Sequence, residues 1–149
     1  MTIVVTDMAN NIQFSIAVHL LAGLACGCEQ QGVSSATLAM SVNTSPSFVR
    51  RTLSKLSKAG LVKTATGKAG SCWLARDADT ISLLDVYRAV DAPKAFAIHN
   101  YPEQKVCTVS CHIKEALVHA LTKTQKAMET SLAETSLARI VSDVKKVKM

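Results

Sequence analysis

The stretch that most restricts the fold is SPSFVRRTLSKLSKAG at 45–60, a short helix with both ends marked. Ser45 suits the cap position, because its hydroxyl can accept a first-turn amide that lacks a helical partner. Pro46 follows where a missing N–H costs nothing. Gly60 sits just past the final turn, where a left-handed residue commonly closes a helix. Val49, Leu53 and Leu56 recur at three- and four-residue spacing and share one face, widened by Phe48 and Thr52. Ser47, Arg50, Arg51, Ser54, Lys55 and Lys58 fall on the other side. A short helix that is apolar behind and cationic and hydroxyl-rich in front has the shape to enter a DNA major groove.

The flanking residues extend this reading. Residues 34–42 predict a second helix capped by Ser34, with Leu38, Ala39 and Val42 inward, and Asn43-Thr44 then turns the chain into the helix at Ser45. Two short helices joined this way form a helix-turn-helix. Residues 61–64 and 72–75 read as strands around a tip holding Gly67 and Gly70, which makes a wing. Lys63 at its base and Lys68 at its tip can reach phosphates. Trp73 is expected to anchor the wing to the core, and Cys72 to be a small buried thiol. Upstream, residues 12–28 predict a helix that is apolar on most sides and so central or shared with a second subunit. Cys26 and Cys28 are read as core there, and His19 as packed or dimer-facing. Residues 1–11 show no clear pattern and are expected to fray or lie on a neighbour. Downstream, Ser82 and Asp85 have capping-box spacing at the start of a helix over 82–90.

Beyond Asp91 the pattern changes. Residues 91–110 read as irregular, with Pro93, Pro102, His99, Tyr101 and Cys107. A long helix over 111–132 carries the stripe Ile113, Leu117, Ala120, Leu121, Thr124, Met128 and Leu132, and Thr135 or Ser136 caps a further helix. One small winged helix gives such a stripe little to cover, so pairing with a second copy is expected, which matches a palindromic DNA site. The predicted fold is mainly α with a small β-hairpin. A winged helix-turn-helix spans 12–91, a loop at 92–110 is a candidate sensor region, and dimerisation helices span 111–144.

Composition narrows the function classes. Apolar residues make up 48% of the 149 residues and aromatic ones 4%, so the core is aliphatic. The formal net charge is +6, and from Gln30 through Arg76 there is no Asp or Glu, while Arg50, Arg51, Lys55, Lys58, Lys63, Lys68 and Arg76 all lie there. An acid-free basic block in a folded region suggests a polyanion surface. No apolar run reaches a membrane span, no export signal is evident, and the cytoplasm is the expected compartment. There is no phosphate-binding glycine loop, nucleophile elbow or metal-hydrolase spacing, so an enzyme is not expected. The DNA-contact set is Thr44, Ser45, Ser47, Arg50, Arg51, Lys55 and Lys68, with only one of the adjacent Arg50 and Arg51 reading a base. The alternative is a winged helix used for protein–protein contact. Five cysteines in a cytoplasmic chain argue against a disulfide framework. Cys107 and Cys111, four apart with His112 adjacent, invite a sensor reading. Cys111 at a helix start would have a lowered pKa and greater reactivity, as in a thiol redox switch. A metal or iron–sulfur site is the other reading.

SVNTSPSFVRRTLSKLSKAGLV, a glycine-containing hairpin and ISLLDVYRAVD together resemble the Rrf-two (BadM-type) family of bacterial winged-helix transcriptional regulators, in its YwnA-like branch. The resemblance covers about 13–144 and is most specific over 41–91. It implies a homodimeric repressor with a long dimerisation helix. Two departures bear on function. Many relatives carry an Arg-Gly pair entering the wing where this chain has Thr66-Gly67, so Lys68 would have to substitute. Cluster-binding relatives use three cysteines before the long helix, where this chain offers Cys107 and Cys111. The position matching a carboxylate ligand in some of them is Ile16. Asp7, His99 and His112 are the remaining candidate ligands, and no bound cofactor is expected.

Overall fold

The computed structural model describes residues 2–27, 32–65 and 70–147, with side chains from residue 12 onward. The first helix, α1 (Thr2–Cys26), starts well before residue 12, so the expectation of a patternless segment at 1–11 is corrected. Ala17, Leu20, Leu21 and Leu24 of α1 are buried. The helix packs against every layer around it, which accounts for its apolar residues on most sides. Cys26 is exposed rather than core, because it sits on the final turn beyond the packed segment. Cys28 lies outside the described residues.

A two-residue strand, β1 (Val33–Ser34), leads into α2 (Ser35–Val42). The Ser34 hydroxyl accepts the Thr37 amide at 3.1 Å, and Leu38 and Ala39 face inward. Asn43 ends α2 in the left-handed region (φ 66°), a conformation its short polar side chain tolerates. The chain then enters α3 (Pro46–Lys58) through the Ser45 cap. Strands β2 (Val62–Thr64) and β3 (Ser71–Leu74) form the wing. The sheet has three antiparallel strands in the order β1-β3-β2, not the hairpin alone, with Val33 opposite Cys72 and Lys63 opposite Trp73. Two residues are too few to show a period, which is why β1 left no sequence signal. The wing's seat requires Gly32. Its φ is +71°, and a Cβ there would come within 2.7 Å of the Trp73 ring. The Trp73 indole thus lies over Gly32, and it is Cys72 and not Trp73 that reaches the core from this strand. Cys72 is 2% exposed, as expected of a small packed thiol.

A 3-10 turn (Ala78–Thr80) precedes α4 (Leu83–Ala89), whose Ser82–Asp85 capping box is complete. Helix α5 (Thr108–Ala133) is followed by α6 (Leu137–Lys146), capped by Ser136. The last of these returns to the body of the molecule. Leu137 is fully buried and Val141 nearly so, and α6 packs against α1. A backbone seam joins it to the start of α4: the Leu137 amide donates to the Ile81 carbonyl at 2.7 Å, and the Leu83 amide to Thr135 at 2.9 Å. The molecule therefore has a head, made of α1 to α4, the sheet and α6, and an arm, made of α5 and the loop before it. No described helix is long and apolar enough to cross a membrane.

Candidate nucleic-acid interface

Helix α3 carries its two faces as its sequence dictates. Val49, Thr52, Leu53 and Leu56 are buried in the core. Ser47, Arg50, Arg51, Ser54 and Lys58 are exposed on the opposite side, and Phe48 is half-buried at the border. The Ser45 hydroxyl accepts the Phe48 amide at 3.3 Å and lies 3.5 Å from the Ser47 hydroxyl. Thr44 is half-buried, and its amide donates to the Ala39 carbonyl at 3.1 Å.

The adjacent arginines diverge. The Arg51 guanidinium lies over the Phe48 ring at 5.4 Å from its centre, a cation–π contact that steers it toward the start of α3. Arg50 instead borders a notch between α3 and the wing, together with Ser54, Ser57, Lys58, Ser35 and Thr64. Leu53, Ala65, Gly70 and Cys72 complete the lining of this recess. Ser35 and Ser57 were missed from sequence because their place depends on how the wing folds over α3. Lys68, expected at the wing tip, lies outside the described residues, as does Thr66-Gly67.

Lys55 is placed differently from its neighbours. It is half-buried, and its ammonium donates to the Gln13 side-chain carbonyl on α1 at 3.0 Å. The Gln13 amide nitrogen donates to the Thr52 hydroxyl at 3.3 Å. Gln13 was not singled out from sequence. The only signal was a polar residue among apolar ones near the start of the predicted helix. His19 is exposed and hydrogen-bonds the Ser41 hydroxyl at 2.9 Å, so it is a surface residue bridging α1 and α2.

The arm holds the two sensor candidates. Cys107, not Cys111, caps α5: the Ser110 amide donates to its sulfur at 3.5 Å. The helix starts at Thr108 because this cap lies further upstream than the apolar stripe showed. Cys107 is exposed, and Cys111 is half-buried one turn on, its thiol near the carbonyls of Gln104 and Lys105. His99 stacks near Tyr101, their ring centres 5.5 Å apart. The loop is tied to α5 through the Lys114 ammonium, which donates to the Tyr101 carbonyl, and through Gln125, whose carbonyl accepts the Ala95 amide at 2.9 Å. Among the described residues no three His, Cys, Asp or Glu side chains converge as a metal group. An iron–sulfur cluster needs four ligands, usually thiolates, so the two loop cysteines do not fit one by themselves. Asp7 lies outside the described side chains.

The Rrf2 family profile, described as an iron-dependent transcriptional regulator, matches residues 10–143. The HTH-type transcriptional regulator YwnA of Bacillus subtilis is 38% identical over 133 residues, covering 89% of this chain and 96% of that protein. The fold is similar to the crystal structure of a DNA-binding protein at 34% identity and a TM-score of 0.69, over 86% of this chain and 97% of that one. It is also similar to CymR, the global cysteine regulator of B. subtilis, at 22% identity and a TM-score of 0.65, over 87% of this chain and 93% of that one.

Proposed function

The chain belongs to the Rrf2 family of transcriptional regulators, and from that premise we propose that it is a homodimeric repressor working in the cytoplasm on a palindromic operator. The family and its relatives are DNA-binding regulators rather than enzymes. The observation that carries the reading is α3: its apolar residues are consumed by the head, and its arginines and serines are left outward, within the stretch from Gln30 to Arg76 that holds no Asp or Glu. In this reading Arg50 and the notch hold a backbone phosphate, Arg51 and Ser47 lie toward the groove, and Thr44 and Ser45 set the entry of α3. Lys68 completes the contact from the wing.

Dimerisation is inferred from the arm. None of the described α5 residues is buried, and Val109 and Val118 are exposed on it, with Phe96, Tyr101 and Val106 exposed on the preceding loop. A second arm laid along the first is the simplest cover for these side chains. Residues 111–144 then divide their work, because α5 faces the partner while α6 completes the head. A thiol response is proposed at Cys107 and Cys111. Cys107 is exposed at the cap of α5, where a soluble oxidant can reach its sulfur, and Cys111 lies one turn on.

The test is equilibrium binding to duplex DNA selected from a random pool, across a salt series. Phosphate contacts give a steep linear fall of log K with log salt. Arg50→Ala and Arg51→Ala should each weaken binding with the oligomer intact. If both leave binding unchanged, α3 does not dock as described. A protein-binding module would bind duplex weakly, with no preferred sequence.

A further inference from the structure

We propose that Gln13 is a positioning residue for DNA binding: its buried, uncharged side chain holds the Lys55 ammonium in place at the edge of α3 without neutralising it. The proposal rests on the reading of α3 as the DNA-facing helix.

The hydrogen-bond roles around Gln13 leave little freedom. A lysine ammonium only donates, so the group that receives Lys55 must be an acceptor. The Thr52 hydroxyl gives its proton to the Phe48 carbonyl at 3.0 Å. Its free lone pairs therefore require a donor, which Gln13 supplies. A side-chain amide offers an acceptor to one neighbour and a donor to the other from two separate atoms, while carrying no charge. This arrangement also orients the Gln13 amide, with nitrogen toward Thr52 and oxygen toward Lys55. The residue is 7% exposed, so the pairing is sheltered from competing water.

The charge balance gives the arrangement its purpose. A carboxylate at position 13 would hold Lys55 at least as firmly, but it would cancel its charge and remove one cation from the basic stretch between Gln30 and Arg76. An apolar residue would leave the charge and lose the hold, so the long side chain would have to be ordered when DNA arrives. A glutamine keeps the charge and orders the side chain beforehand. The remaining two N–H donors of the ammonium are left for an oxygen ligand such as a backbone phosphate.

The test uses the full-length protein and a fluorescently labelled duplex that the wild type selects from random-sequence DNA. Binding is titrated at several salt concentrations for wild type, Gln13→Glu, Lys55→Gln and the double variant, with melting temperature recorded for each. Lys55→Gln keeps a donor toward Gln13 and is at a half-exposed position, so it folds even where Gln13→Glu does not. Lys55→Gln and Gln13→Glu should each lower the salt slope by about one per bound α3, and weaken binding by about tenfold at moderate salt. The double variant leaves an unpaired carboxylate at this edge and should bind more weakly than either single one. A wild-type slope in Lys55→Gln, or in a normally melting Gln13→Glu, overturns the proposal. Failure of the wild type to bind any duplex with a salt slope would instead overturn the reading of α3 itself.

Discussion

The head and the arm spend their apolar residues in opposite ways. In the head, Leu20, Leu21, Leu38, Leu56, Leu61, Ile81 and Leu137 are fully buried, drawn from six separate segments into one core. In the arm no described α5 residue is buried, and Val106 of the loop is 98% exposed. Yet both regions are built from the same aliphatic residue types. A side chain is core or surface here by the number of layers that meet over it, and α5 packs mainly on α4, with its own loop tied along it. The head covers its apolar residues with its own layers, whereas the arm leaves Val106, Val109 and Val118 exposed in the single chain.

This contrast can be broken most directly in the two cores. Leu56→Ala in the head should cost about 2–5 kcal/mol in denaturant unfolding, because it empties a fully packed site. Leu117→Ala in the arm should cost about 1 kcal/mol or less in dilute protein, with a melting temperature that depends on concentration where the wild-type arm is paired. Equal costs at all concentrations would mean that the arm is part of the same packed unit.

A smaller effect probes the seam between α4 and α6, which closes the head. Ser82→Ala removes the hydroxyl half of the α4 capping box and should cost about 1 kcal/mol. The Arg76–Asp85 pair beside it, at 2.8 Å and partly exposed, should contribute less than the cap. Comparing Ser82→Ala with Arg76→Ala in thermal melts ranks them.

The smallest effects involve the two regions' thiols. Cys107 should react with iodoacetamide in the folded protein while Cys72 does not, as read by peptide mass mapping. Burial pushes the Cys72 thiol above its ordinary value. The unfolded chain then loses that proton at a lower pH than the folded one, so stability falls as pH rises through the ordinary thiol range. Cys72→Ala should flatten that part of the pH–stability curve, whatever its fixed cost in packing.

Much of the head was legible from single residues. Ser34, Ser45, Pro46, Gly60 and Ser82 each mark an element boundary through a local rule, and each boundary is where that rule puts it, within a residue. What was not legible depended on contacts between distant segments. The strand at Val33 is too short to have a period, and Cys26 lies past the packed turns of its helix. Residues 2–11 lacked a helical pattern because a helix can continue without an amphipathic stripe. The interface was legible in the same uneven way. Arg50, Arg51 and Ser47 follow from helical angle alone, but the hold on Lys55 comes from a residue 42 positions away.

The seam between α4 and α6 has a consequence for how the molecule is made. The helix α3 and the wing precede the arm in the chain, but Leu137, fully buried in the head, follows it. A ribosome that has released the wing and the whole of α5 has not yet supplied the plug. On the proposed reading, in which the arms pair, two newly made chains could therefore meet before the head of either is sealed.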